Sequence, residues 1–153
     1  MCWQVVGKYS TEGQMTYWLV KSEPDVFGWD DFVREGKTSW DGVRSYAARG
    51  NLKAMQKGDK VLFYHSNRGL CITGIARVSK SAYPDPTSPE GQWHSVELAP
   101  LKALRQPVTL AQIKAEPRLK DLELVRIGRL SVSKVSPVQW TVILELGKTH
   151  AAR

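Results

Sequence analysis

The sequence predicts an α+β domain built on a small, partly open β-barrel of five or six strands, with helices packed around it. Three observations carry this expectation. Short β-rich runs are joined by hairpin-type links, helical runs interrupt them irregularly, and 153 residues suit one ordinary domain with a sizeable core. Irregular interleaving excludes a doubly wound parallel sheet, which needs strands and helices in regular alternation.

Taken in order, residues 1–14 end in Ser-Thr-Glu-Gly-Gln with little periodicity, so a loosely attached leader is expected there, with Met15 as the functional start. Residues 15–147 form the domain. Tyr17 to Lys21 is rich in β-formers and is closed by Pro24. A short helix follows from Trp29 to Arg34, ended by Gly36. Ser45 is expected to N-cap a helix of about three turns, with Gly58 just past its end. On this helix Ala48, Leu52 and Met55 recur at core spacing, while Arg49, Lys53 and Lys57 recur on another face as a basic ridge.

Lys60 to His65 and Leu70 to Val78 read as two strands joined by the turn Ser66 to Gly69, the first of them buried on both faces. A proline-rich surface loop runs from Tyr83 to Gly91. Trp93 to Leu104 returns as a strand or a pair of short strands, with Pro100 marking an edge or a break. Thr109 caps a short helix, Leu119 to Ile127 forms another, and Arg129 to Val135 alternates as a strand should. Ser136-Pro137 then opens a last helix that Gly147 ends, and residues 148–153 are expected to fray.

Composition narrows the function. A formal charge of +7 and a pI near 9.5 favour a polyanionic partner. Two cysteines are too few for a disulfide framework, and Cys71 lies in an apolar run, which suits a reduced thiol. With no membrane-length apolar run and no signal-peptide pattern, the expected location is the cytoplasm.

Catalytic constellations do not assemble from the sequence. His65, His94 and His150 have no metal-ligand spacing, so neither a metal nor a cofactor is expected. His65 and Ser66 are adjacent strand residues that point to opposite faces, and no nucleophile-elbow motif is present. Gly36-Lys37-Thr38 lacks the earlier glycine and the preceding strand of a phosphate loop. Glu23, Asp59 and Asp85 read first as turn-capping carboxylates. Trp18, Trp93 and Trp140 read as core.

Eight fragments in one order carry a resemblance. They are Tyr17 to Pro24, Trp40-Asp-Gly-Val-Arg44, Tyr46 with Ala48-Arg49, Gly58-Asp59, Phe63 to Ser66, Gly74-Ile75, Tyr83-Pro-Asp85 and Arg129-Leu-Ser-Val132. Together they resemble the EVE domain, a PUA-like family related to YTH domains, over nearly the whole chain. The resemblance implies a PUA-like barrel without catalytic activity, whose pocket receives a flipped, modified base, modified cytosine in DNA above all. By that analogy Lys21, Ser22 and Glu23 line the pocket beside the first strand. Trp40 supplies an aromatic wall, Val43, Arg44, Ser45 and Tyr46 another side, and Tyr64, His65, Ser66 and Asp85 the remaining edge. Arg49, Lys53, Lys57 and Arg129 would hold phosphates. The family usually carries asparagine where this chain has Ser45 and Gly50; serine keeps the capping ability but reaches less far.

These residue types suit the task. An extruded base offers two π-faces and a polar edge, so it needs aromatic walls and a few fixed donors and acceptors. The expected partner is nucleic acid, modified DNA before RNA. The alternatives are an RNA-binding PUA-like module indifferent to modification, and a nucleotide hydrolase or base-modifying enzyme using Glu23 or Asp85.

Overall fold

The computed structural model describes residues 16–89 and 91–150. The leader expected over residues 1–14 lies outside them. Strand β1 (Tyr17–Ser22) leads into two short helices, α1 (Pro24–Phe27) and α2 (Trp29–Glu35), and then a short strand, β2 (Thr38–Trp40). Helix α3 (Tyr46–Ala54) precedes strands β3 (Lys60–His65), β4 (Cys71–Pro84) and β5 (His94–Thr109). Helix α4 (Leu110–Ala115), a 3-10 turn (Pro117–Leu119), helix α5 (Glu123–Arg126), strand β6 (Val132–Val135) and helix α6 (Pro137–Leu146) complete the chain.

The six strands form one mixed sheet in the order β2-β5-β4-β3-β1-β6. Among the described residues only β1 and β3 pair in parallel; their connection carries α1, α2, β2 and α3. The terminal strands β2 and β6 do not pair with each other, so the sheet stays open. The α+β class and the strand count agree with the partly open barrel of five or six strands that the irregular pattern predicts, with the sheet left unclosed.

Period-two alternation builds two cores, one on each side of the sheet. Trp18 and Val20 of β1, with Val61 and Phe63 of β3, join Phe32, Ala48 and Leu52 from the helices, and Met55 just past α3, on one side. Leu19, Leu62 and Tyr64 point the other way, against Ile113, Trp140 and Ile143. Strand β3 is therefore apolar throughout its middle because helices cover both of its faces. Asp59, at the turn into β3, is buried because its carboxylate accepts from the Trp18 indole N–H and the Gln56 amide, each at 2.9 Å. Gly74 is required for another reason: a Cβ there would stand 2.5 Å from the Trp29 ring.

Local capping follows the sequence. Ser45, Thr109 and Ser136 accept from the amides of Ala48, Gln112 and Gln139 at the starts of α3, α4 and α6. Gly36 ends α2 in the left-handed conformation.

Several expectations need correction. Helix α3 stops at Ala54, with the Met55 amide bonded to Asn51 O, so Gly58 belongs to the following turn and its amide bonds to Val78 O. Lys57 likewise lies beyond the helix instead of on its basic face. Strand β4 runs on to Pro84, because Tyr83 and Pro84 pair with Ser95 and His94 of β5. Pro100 does not break β5: it opposes Ala76 where the register shifts and Leu101 is left over, a bulge that spares the missing amide. The span from Leu119 to Ile127 holds only four residues of α-helix, Glu123–Arg126, after the end of the 3-10 turn, and β6 starts at Val132 instead of Arg129. The tail expected over residues 148–153 lies partly outside the described residues, and within them the Thr149 hydroxyl accepts from the Arg105 amide at 2.8 Å.

Candidate functional site

At the carboxyl end of β1 a cavity of about 700 Å³ opens between β1, α1, the end of β2 and the 41–44 loop. Its polar side is made where β1 stops. Pro24 cannot continue the strand ladder, so the chain turns at Glu23, whose carbonyl accepts from the Val26 and Phe27 amides as α1 begins. The turn is pinned by Ser22, whose hydroxyl donates to Phe27 O at 2.5 Å, and by the Ser66 amide, which donates to Ser22 O. Lys21 donates its Nζ to Gly128 O at 2.6 Å, and its amide bonds to Ser131 O. Burial pushes the Lys21 ammonium below its ordinary value. Lys21, Ser22, Glu23 and Ser131 all face the cavity.

The aromatic side is Trp40. It pairs with Val96 at the end of β2, and its half-buried indole meets Phe63 at 5.8 Å and 81° and Phe27 at 6.3 Å and 68°. Edge-to-face contacts of this kind fix ring orientation as well as burying area. The indole is thus anchored on the core while it lines the cavity.

The 41–44 loop hangs on one carboxylate. Asp85, 1% exposed, takes the Gly42 amide at 2.8 Å and Arg44 Nη1 at 3.0 Å on Oδ2, and the Thr87 amide and hydroxyl at 2.7 and 2.6 Å on Oδ1. Burial alone would raise its value, but these bonds outweigh it and hold the carboxyl down at about 2. Gly42 is in the left-handed region, φ 78°, which lets its amide turn inward. Val43 and Arg44 are thereby presented to the cavity, with Arg44 Nη2 also donating to Thr87 Oγ1.

Of the residues the sequence nominates, Lys21, Ser22, Glu23, Trp40, Val43 and Arg44 meet at this cavity, and the others do not line it. Ser45 caps α3, and Asp85 braces the wall from behind. Tyr64 points into the opposite core. His65 Nε2 accepts from the Trp29 amide at 3.1 Å, and burial pushes the imidazole below its ordinary value, which keeps that nitrogen free to accept. Ser66 supplies the amide that holds Ser22, and its carbonyl accepts from the Arg68 amide. Tyr46 stands outside, stacked on Trp93 at 5.2 Å and 28°, with the Arg49 guanidinium 4.9 Å from its ring. Trp93 is buried as expected, but beneath Tyr46, Arg44 and Arg49 instead of in either core. Lys53, Lys57 and Arg129 are exposed away from the cavity wall.

Val26, Phe27, Glu35, Thr38, Ser39, Asp41 and Ser131 also line the cavity and are not among the sequence candidates. Asp41 and Ser131 carried a signal, since they lie within the fragments Trp40 to Arg44 and Arg129 to Val132; Val26, Phe27, Thr38 and Ser39 reach the cavity through α1 and β2, which have no periodicity to read, and Glu35 through the last residue of α2. Among the described residues no group of histidine, cysteine or carboxylate side chains converges in a way that could hold a metal ion.

The EVE domain family model matches residues 16–146. Thymocyte nuclear protein 1 of Homo sapiens is 30% identical, over 86% of this chain and 73% of its own. A solved structure of the protein Rpa0253 from Rhodopseudomonas palustris superposes with a TM-score of 0.84 at 45% identity, covering 88% of this chain and 94% of that one. The human THYN1 protein, solved in complex with 5-methylcytosine-containing DNA, superposes with a TM-score of 0.79 at 29% identity, over 89% of this chain and 99% of its own. The YTH domain of Zygosaccharomyces rouxii MRB1 shares the fold, with a TM-score of 0.56 at 18% identity over 91% of this chain and 90% of its own.

Proposed function

We propose, from the premise that this chain belongs to the EVE domain family, that it is a binding module that holds one modified base, a 5-substituted cytosine in DNA, against Trp40. The observation that carries the reading is the cavity itself: an indole anchored edge-on to the core stands across from Lys21, Ser22 and Glu23. Its volume of about 700 Å³ lies within the roughly 300–1,000 Å³ typical of pockets for small ligands. The similar human protein solved with 5-methylcytosine-containing DNA supports the choice of base.

The chemistry is complementary. A base flipped out of its stack needs an aromatic face, and stacking contributes about 1–3 kcal/mol, enough to offset much of the unstacking cost. The N4 amino group of cytosine donates, which suits the Glu23 carboxylate, while its O2 carbonyl oxygen and N3 accept, which suits the Lys21 ammonium. A 5-methyl group adds only about 0.8 kcal/mol by burial, so the apolar contacts of Val26, Phe27 and Val43 set a modest preference, and the polar contacts set which base enters.

A binding role is also favoured over hydrolysis by Asp85. With its oxygens occupied by four donors and its carboxyl held at about 2, it is a poor proton acceptor near neutral pH.

The test is a titration of the full chain with cytosine and 5-methylcytosine nucleosides and with short DNA and RNA strands carrying them. Wild type is expected to prefer the methylated DNA strand, and Trp40→Ala to lose about 1–3 kcal/mol of that binding. Unchanged affinity in a folded Trp40→Ala protein would remove the indole from the site. Tight RNA binding that ignores methylation would favour the RNA-module reading instead.

A further inference from the structure

We infer that Tyr46 is a second stacking surface, outside the cavity, for the base next to the one held against Trp40. This rests on the cavity reading above. Tyr46 is 67% exposed, yet its ring is held by contacts with Trp93 and Arg49. It is the first residue of α3, directly after the Ser45 cap, and it lies on Trp93 with ring centroids 5.2 Å apart. Arg49 stands against both rings, at 4.9 Å from Tyr46 and 5.4 Å from Trp93, and is itself tied to Gln92 O at 2.8 Å. A large aromatic surface held rigid before binding loses little entropy on accepting a flat ligand.

Continuity and charge choose the occupant. Arg44 lines the cavity and also sits 5.6 Å over the Trp93 ring, so one side chain joins the two places. Arg49 and the exposed Lys53 lie one turn apart along α3 beside the platform. A single strand leaving the cavity would find a π-face for its next base and cations for its phosphates, the combination used to bind unpaired nucleic acid. A brace for the 85–93 loop alone would need Trp93 and the arginines, but not an exposed tyrosine ring above them.

The experiment uses the full chain as wild type, Tyr46→Ala, Tyr46→Leu and Tyr46→Phe. Each is titrated with 5-methyl-2′-deoxycytidine, with a short DNA strand carrying that residue centrally, and with the same strand made abasic on both sides of it. Tyr46→Ala and Tyr46→Leu are expected to lower the strand-to-nucleoside affinity ratio roughly 5- to 100-fold. Tyr46→Phe should keep the ratio, and the abasic strand should erase the difference between wild type and Tyr46→Ala. Leucine retains apolar volume over Trp93 without an aromatic face, so it answers the question if alanine unfolds the helix start. An unchanged ratio in a folded variant, or a loss that persists on the abasic strand, would overturn the platform while leaving the cavity intact. A wild-type protein that binds neither nucleoside nor strand would overturn the cavity reading and this inference with it.

Discussion

Asp85 carries a negative charge that does not reach solvent, and four donors converge on it from two loops that are more than forty residues apart. Its carboxyl titrates at about 2 against an ordinary 3.8. Since the native value is the lower one, the unfolded chain takes up the proton first. The stabilisation is therefore complete above about pH 4 and is lost as pH falls through 2, an amount of roughly 2 kcal/mol. Asp85→Asn should lose about 2–3 kcal/mol near neutral pH, because an amide confronts donors that need an acceptor, and its stability should depend less on pH between 4 and 2. Urea denaturation of both proteins at pH 7 and pH 3 checks this; equal acid sensitivity would dissociate Asp85 from the loop. Residues whose partners are near in sequence were legible: Ser45, Thr109 and Ser136 cap the helices assigned to them. Asp85 was legible as a structural carboxylate but not as the prop behind the cavity, because Gly42 and Arg44 meet it only in the folded chain.

Helix α3 shows how far periodicity reaches. Its core face of Ala48, Leu52 and Met55 is buried as the spacing requires. Its end was not readable, because Met55 turns away to fill the core and Lys57 joins the turn into β3. The exposed ammonium groups of Lys53 and Lys57 leave them suited to phosphates on either geometry. Replacing both with alanine should weaken methylated and unmethylated strands alike and reduce the slope of log affinity against log salt by roughly 0.7–0.9 per lysine. Titrations across a salt series read the slope directly, and a loss confined to methylated strands would count against the phosphate role. Strand β2 marks the opposite limit. Three residues carry no usable alternation, yet pairing of Thr38 to Trp40 with β5 is what turns the indole toward the cavity.

Across the whole molecule, the two cores share β1 and β3 back to back, so neither can lose its packing without exposing the other face of the same strands. Ile143 of α6 is fully buried in the core on the far side from the cavity. Ile143→Ala should lower stability by about 2–5 kcal/mol, with tryptophan fluorescence and far-ultraviolet circular dichroism reporting one coincident transition, and should leave the methylated-to-unmethylated affinity ratio unchanged. Separate transitions would mean that the two halves fold independently. By itself the sequence determined the α+β class, the strand and helix periods, three helix caps, the basic balance and the family fragments, all of which depend on a residue and its near neighbours. Only the tertiary structure decided which fragments share a cavity. It brought Lys21 and Trp40 to one hollow, sent Tyr64 to the opposite core and moved Tyr46 onto Trp93. Those outcomes depend on strand order and register, and pairing between distant segments leaves no trace in local spacing.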